Sequence, residues 1–347
     1  MTIDLSSDNP AEPEPDVIES HTSVGRVAFL DGLRGTMCVV VIVFHAIQQF
    51  PETLELREYL LSGTRAVDVF WGVSGYALAL IDNRDRAILT VIGRLPRLML
   101  PVVFLGFVTA IISFAIDLDP MVFVSTQKAI AEKFLLNDFQ FEPFGHGQNH
   151  NWEHLWTMYI ELYGSLALLF GHELFKETKQ PVRLVCALAL LALYVEPNLN
   201  FILIGYVLCK WEPVKQWFTK HYNTNAGLLM SGLSLIMFFC TLLANDRQLV
   251  RYIGAASIFV CILSTQKMEK VFDNVFTSFF GRYSFELYIS HYPILQRCYD
   301  IPWVNRYPMA MVATLLALSI AWSLLVQRHV NTASLVFSKK IARALSN

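Results

Sequence analysis

The stretch AFLDGLRGTMCVVVIVFHAIQ, from Ala28 to Gln48, decides the fold. Apart from Asp31, Arg34 and His45 it is almost wholly small or apolar, and at about 1.5 Å per residue it is long enough to cross a hydrocarbon core of about 30 Å. The ionisable groups inside it are as informative as its length, because such groups are costly in a bilayer unless paired or wetted. Arg34 and His45 stand eleven positions apart. At about 100° and 1.5 Å per residue, that spacing puts them within roughly 20° of one another and some 16 Å apart on one face. Two readings are open. Arg34 pairs with Asp31 at i−3 near one interface while His45 is a satisfied histidine near the other, or one lining carries both.

Working outward, the rest of the chain has the same character. Of its 347 residues 54% are hydrophobic and 16% charged, with a mean hydropathy of +0.43. A soluble domain carries about 25% charge, so the composition excludes secreted scaffolds, disordered regulators and nucleic-acid binders. The fold class expected is an all-α polytopic membrane protein. Ten stretches are candidates for crossing, near 28–48, 66–82, 98–117, 153–172, 182–196, 198–211, 226–244, 251–266, 276–296 and 308–327, with the pair around Glu196-Pro197 short. Basic residues in short loops stay cytosolic. With ten spans, 18 Lys and Arg fall on the side of the N-terminus and 8 on the other, leaving Arg34 within the first span. Both termini are therefore expected in the cytosol.

Three regions follow. Residues 1–26 are polar and acidic, lack the apolar core of a signal peptide, and read as a disordered cytosolic arm; 27–328 form the membrane domain; 329–347 form a basic cytosolic tail. The six cysteines, Cys38, Cys186, Cys209, Cys240, Cys261 and Cys298, lie in or beside apolar runs without a C-x-x-C pair, so they read as core residues. His146, His150 and His154 recur every four residues, yet the Gly and Asn between them disfavour the helix that would align them. No metal site is expected.

Other spans carry polar groups of their own. The second reads VDVFWGVSGY, Val67 to Tyr76, with Ser74 inside. The third is entered through GRLPRLMLP, with Arg94 and Arg97. The fourth reads HLWTMYIELYGS, His154 to Ser165, and places Glu161 two turns in. The ninth, GRYSFELYISHYP, puts His291 two residues before Pro293. Each has a plain alternative: close packing for Ser74, topology signals for the arginines, a partner for Glu161, and for His291 a bond to a carbonyl freed by the proline.

Together these segments resemble the acyltransferase 3 family of integral membrane acyltransferases over residues 27 to 328. The resembling motifs are LDGLRG, an Arg and a His separated by ten residues, V-D-x-F-x-x-S-G-[FY], R-x-x-R-L-x-x-x-P, LW[ST]-x-x-x-E and G-x-x-S-[FY]-x-L-Y-x-x-H-x-P. The fourth-span wording is similar to that of fungal members. Leu162 and Tyr163 after the Glu, and Ser290 before the late His, depart from the usual pattern and bear on acceptor recognition. The resemblance implies an O-acyltransferase that moves an acyl group, acetyl first, from acyl-CoA to a hydroxyl of a sugar, lipid or small secondary metabolite.

The chemistry needs a base, oxyanion donors and a cationic cradle for coenzyme phosphates. His45 is the expected base, by direct transfer or through an acyl-histidine. Arg34, with Arg94, Arg97 and Ser74, is expected to hold acyl-CoA (acetyl-CoA), which acts as a co-substrate, with no metal required. Glu161 and His291 are expected to orient the base or bind the acceptor. The bilayer is the expected surroundings and no nucleic acid is expected. The rival class is a proton-coupled transporter of a small molecule, because intramembrane His, Glu and Arg also make proton relays.

Overall fold

A computed structural model describes residues 28–53, 62–80, 84–117, 154–175, 196–244 and 247–331, with a few scattered positions elsewhere. The described residues form helices and no strand. In chain order these are α1 (Ala28–Ile47), α2 (Gly63–Ala79), α3 (Arg84–Asp117), α4 (Trp156–Phe175), α5 (Leu199–Lys210), α6 (Glu212–His221), α7 (Asn225–Leu243), α8 (Gln248–Leu263), α9 (Gln266–Phe272), α10 (Val275–Tyr299) and α11 (Pro308–Val326).

Local chemistry sets their starts. Ser62, Thr224 and Thr265 accept from the backbone N–H of Arg65, Gly227 and Met268 and so cap α2, α7 and α9. Asn274 and Thr277 cap α10 reciprocally. Proline opens α6 and α11, where its missing N–H costs nothing.

α1 and α10 form the central pair and run side by side in the same direction. Gly32 and Gly35 of α1 lie against the backbone of Phe272 and Gly281, and Gly281 lies against the Asp31 carbonyl. A Cβ at any of the three would collide with main chain, which is why LDGLRG carries its glycines. α2 and α5 cross in the same manner, with Gly75 against Ile202 and Gly205 against Gly72. Around these, α7 and α8 pack together, α11 covers α10, and α3 borders α4.

The periphery is apolar. Leu229, Leu233 and Ile236 of α7, Phe107 and Ile111 of α3 and Leu325 of α11 are all exposed. That is the surface a bilayer solvates, and the chain is an integral membrane protein. By length and composition, α1, Asn225–Leu243 and Pro308–Val330 suffice to span, and a fourth crossing is added if α8 and α9 count as one bent segment. The buried helices fall short because they hold polar groups inward, as α10 does with Glu286 and His291.

Some boundaries differ from expectation. The R-x-x-R-L entry is itself helical, since α3 begins at Arg84 and continues through Pro96 and Pro101. Two short helices, α6 and α9, were not foreseen. α9 turns off α8 by 109°. It is tied to the α6–α7 corner by Tyr222 Oη donating to Glu269 Oε2 at 2.5 Å and by the Gln266 N–H donating to Asn223 Oδ1 at 2.7 Å. The stretch expected as a span at 182–196 lies, but for Glu196, outside the described residues, as do the 1–26 arm, His146 and His150.

Candidate active site

The parallel run of α1 and α10 places residues in matched levels. Arg34 Nη2 donates to the Gly281 carbonyl at 3.4 Å, Cys38 Sγ donates to the Ser284 carbonyl at 3.3 Å, and the His45 ring lies 5.4 Å from that of His291. α4 runs the other way beside them. His154, just before α4, is 5.3 Å from His291 by ring centroids, and Thr157 donates to Tyr288 Oη at 2.8 Å. Three imidazoles thus gather at one level, and the Tyr292 ring stacks on His154 and meets His45 edge-on, at 5.3 Å each.

Each ring is held in a particular tautomer. His45 Nδ1 donates to Gln48 Oε1 at 3.2 Å, which leaves Nε2 as the lone-pair nitrogen. His291 Nδ1 donates to the Tyr288 carbonyl at 2.5 Å. Its Nε2 is buried and makes no hydrogen bond among the described residues. Pro293 has no N–H to give the carbonyl four residues back, that of Ile289. The donor that takes its place is His154 Nε2, at 3.0 Å. The bond expected of His291 is therefore made by His154, a residue the sequence offered only as the end of the histidine repeat.

Below this level, towards Arg34, a small cavity is lined by Val41, Val67, Phe70, Trp71, Thr157, Met158 and Tyr288, with no charged side chain. Beside it Ser74 Oγ donates to Glu161 Oε1 at 2.6 Å, and the Trp71 indole donates to the Thr157 carbonyl at 3.3 Å. Ser74, expected beside the coenzyme, is in direct contact with Glu161. Both are buried, in a setting where a short O–H···O bond fixes geometry.

At the far end of α1, Arg34 lies 3.7 Å from Asp31, the i−3 pair of one of the two readings open from sequence. Both side chains are partly exposed, so the pair contributes little to stability. It leaves the guanidinium with capacity to spare: Nε is buried and makes no hydrogen bond among the described residues. Arg97 lies on the exposed side of α3, while the side chain of Arg94 is outside the described residues.

Sequence reasoning passed over two further buried groups. Glu286 is 1% exposed, and Arg34 and Arg97 both act on it electrostatically. Asp68, also fully buried, receives both Nε (3.0 Å) and Nη2 of Arg251, whose guanidinium caps the Phe201 ring at 5.2 Å. The signal for the second was the acid inside VDVF. Among the described residues no three His, Cys, Asp or Glu side chains converge as a metal site.

Comparison with known proteins adds one finding. A family model described as an acyltransferase domain, the third such family, matches residues 27–328. No curated protein and no solved structure matches the chain.

Proposed function

The chain belongs to the acyltransferase 3 family, and from that premise we propose that it is an O-acyltransferase, moving an acetyl group from acetyl-CoA to a hydroxyl on a sugar, lipid or small secondary metabolite. The observation that carries this reading is the alignment of polar groups along the packed pair α1 and α10, with Arg34 at one end and the cluster of His45, His154 and His291 at the other.

The acceptor hydroxyl approaches His45. Nε2 takes its proton as the oxygen attacks the thioester carbonyl. The tetrahedral intermediate collapses with cleavage of the carbon–sulfur bond, the ester leaves, and the thiolate of coenzyme A takes up the proton. Gln48 accepts from Nδ1–H and so leaves the lone pair on Nε2. Arg34, Arg94 and Arg97 carry the phosphates, and the length of α1 between Arg34 and His45, some 16 Å, suits an extended pantetheine arm. Glu161, held by Ser74, and His291, with its bare Nε2, orient the acceptor or the base.

In this reading the domain has ten spans with both termini cytosolic, the 1–26 arm and the basic 329–347 tail lie on that side, and the donor enters from it. The acceptor arrives from the opposite face or the bilayer.

The test is release of coenzyme A from acetyl-CoA by purified protein, with acylated product identified by mass. Uptake of acceptor into vesicles with no acylated product overturns the reading in favour of a proton-coupled transporter. Intact mass after exposure to donor alone separates direct transfer from an acyl-histidine, because only the latter leaves the protein heavier.

A further inference from the structure

We infer that Glu286 is a donor-binding residue that holds an amide of the pantetheine arm, an assignment that rests on acyl-CoA being the donor. Glu286 occupies a spacer position of the last motif, between Phe285 and Leu287, and nothing in the motif calls for an acid there. It is nevertheless 1% exposed. A carboxyl group buried this deeply is costly unless it gains a partner, yet Oε2 makes no hydrogen bond among the described residues.

Its position says what partner would fit. The pairs Arg34–Gly281, Cys38–Ser284 and His45–His291 fix the register of α1 on α10. In that register Glu286 stands about 7.5 Å along the axis from His291 and about 9 Å from the level of Arg34. By level along α10 it therefore stands between the acyl-transfer end and the phosphate end. Arg34 and Arg97 both act on it electrostatically. Glu286 offers an accepting oxygen and Arg34 a donating Nε, each without a hydrogen-bond partner among the described residues.

Pantetheine is a chain of methylenes interrupted by amides, and an amide presents one N–H and one C=O. Glu286 accepts the N–H and Arg34 Nε donates to a C=O. A free phosphate does not fit, since it would meet the carboxyl oxygen of Glu286. A plain acyl chain does not fit either, since it would leave both polar atoms unsatisfied.

The test needs no acceptor. Equilibrium binding of acetyl-CoA, acetyl-pantetheine and adenosine 3′,5′-bisphosphate is measured on the purified full chain and its variants. Glu286→Leu should weaken acetyl-CoA and acetyl-pantetheine by about tenfold or more, the loss of one hydrogen bond with a charged partner, and leave the bisphosphate unchanged. Glu286→Gln, which keeps an accepting oxygen, should stay within about threefold. Glu286→Asp withdraws the carboxyl by one methylene and should show the same arm-specific loss, which carries the test if the Leu protein does not fold. Unchanged acetyl-CoA binding by the Leu or Asp protein overturns the inference and leaves the donor reading standing. Equal loss of bisphosphate binding also overturns it, because the residue then acts through the fold. If the wild-type chain binds the bisphosphate and acetyl-CoA not at all, the donor reading itself fails.

Discussion

The imidazoles of His45 and His291 stack at 5.4 Å with 28° between their planes, although 246 positions separate them in the chain. Each holds Nδ1–H in a hydrogen bond, to Gln48 and to the Tyr288 carbonyl, so both face the site through Nε2. Their surroundings differ: His291 is fully buried, whereas His45 is partly exposed.

Replacing His45 with Ala should lower turnover by about 10² to 10⁴ and leave acetyl-CoA binding nearly intact, because the phosphates sit three turns away. Steady-state kinetics together with donor binding check this. Near-normal transfer by well-folded His45→Ala protein would sink the mechanism and make His291 the base to test next.

Arg34 should behave in the opposite sense. Arg34→Ala is expected to weaken acetyl-CoA binding through loss of charge-assisted contacts, and Arg34→Lys to recover only part, since an ammonium cannot reproduce the guanidinium fork. Because the Asp31 pair is partly exposed, thermal unfolding should shift little. A large drop in stability with unchanged donor affinity would make Arg34 a structural residue.

Ser74 and Glu161 should act as one unit, given the 2.6 Å bond between them. Ser74→Ala is expected to cost about tenfold in kcat and Glu161→Gln more, with the double variant no worse than Glu161→Gln alone. Additive losses would show that the two side chains act separately.

The Asp68–Arg251 pair should be a matter of stability. Breaking it from one side leaves a buried group uncompensated, at about 3–5 kcal/mol. Thermal unfolding in detergent should therefore fall sharply for Asp68→Asn, and less than additively when Arg251→Gln is combined with it. Unchanged unfolding of the single variant would contradict the assignment.

A reporter fused after Asn347 should lie in the cytosol, given the 18 to 8 division of basic residues for ten spans. An extracytoplasmic reporter means an odd count, with the error at the short pair around Pro197.

Sequence alone determined the solvent and the helices. Long apolar runs can be satisfied in lipid only as helices, so α1, α7 and α11 were legible from composition, and Arg34 and His45 from one helix's own geometry. The Asp31–Arg34 pair was legible for the same reason. The partners of Glu161 and Asp68 were not, because each lies on another helix, and helical periodicity says which face a residue occupies but not what that face meets. His154 shows the difference. Its spacing from His146 and His150 was a local pattern, while its actual partner is a carbonyl on α10, freed by a proline 139 positions later. Only the crossing of α1, α4 and α10, set where glycines let backbones touch, brought three histidines to one level.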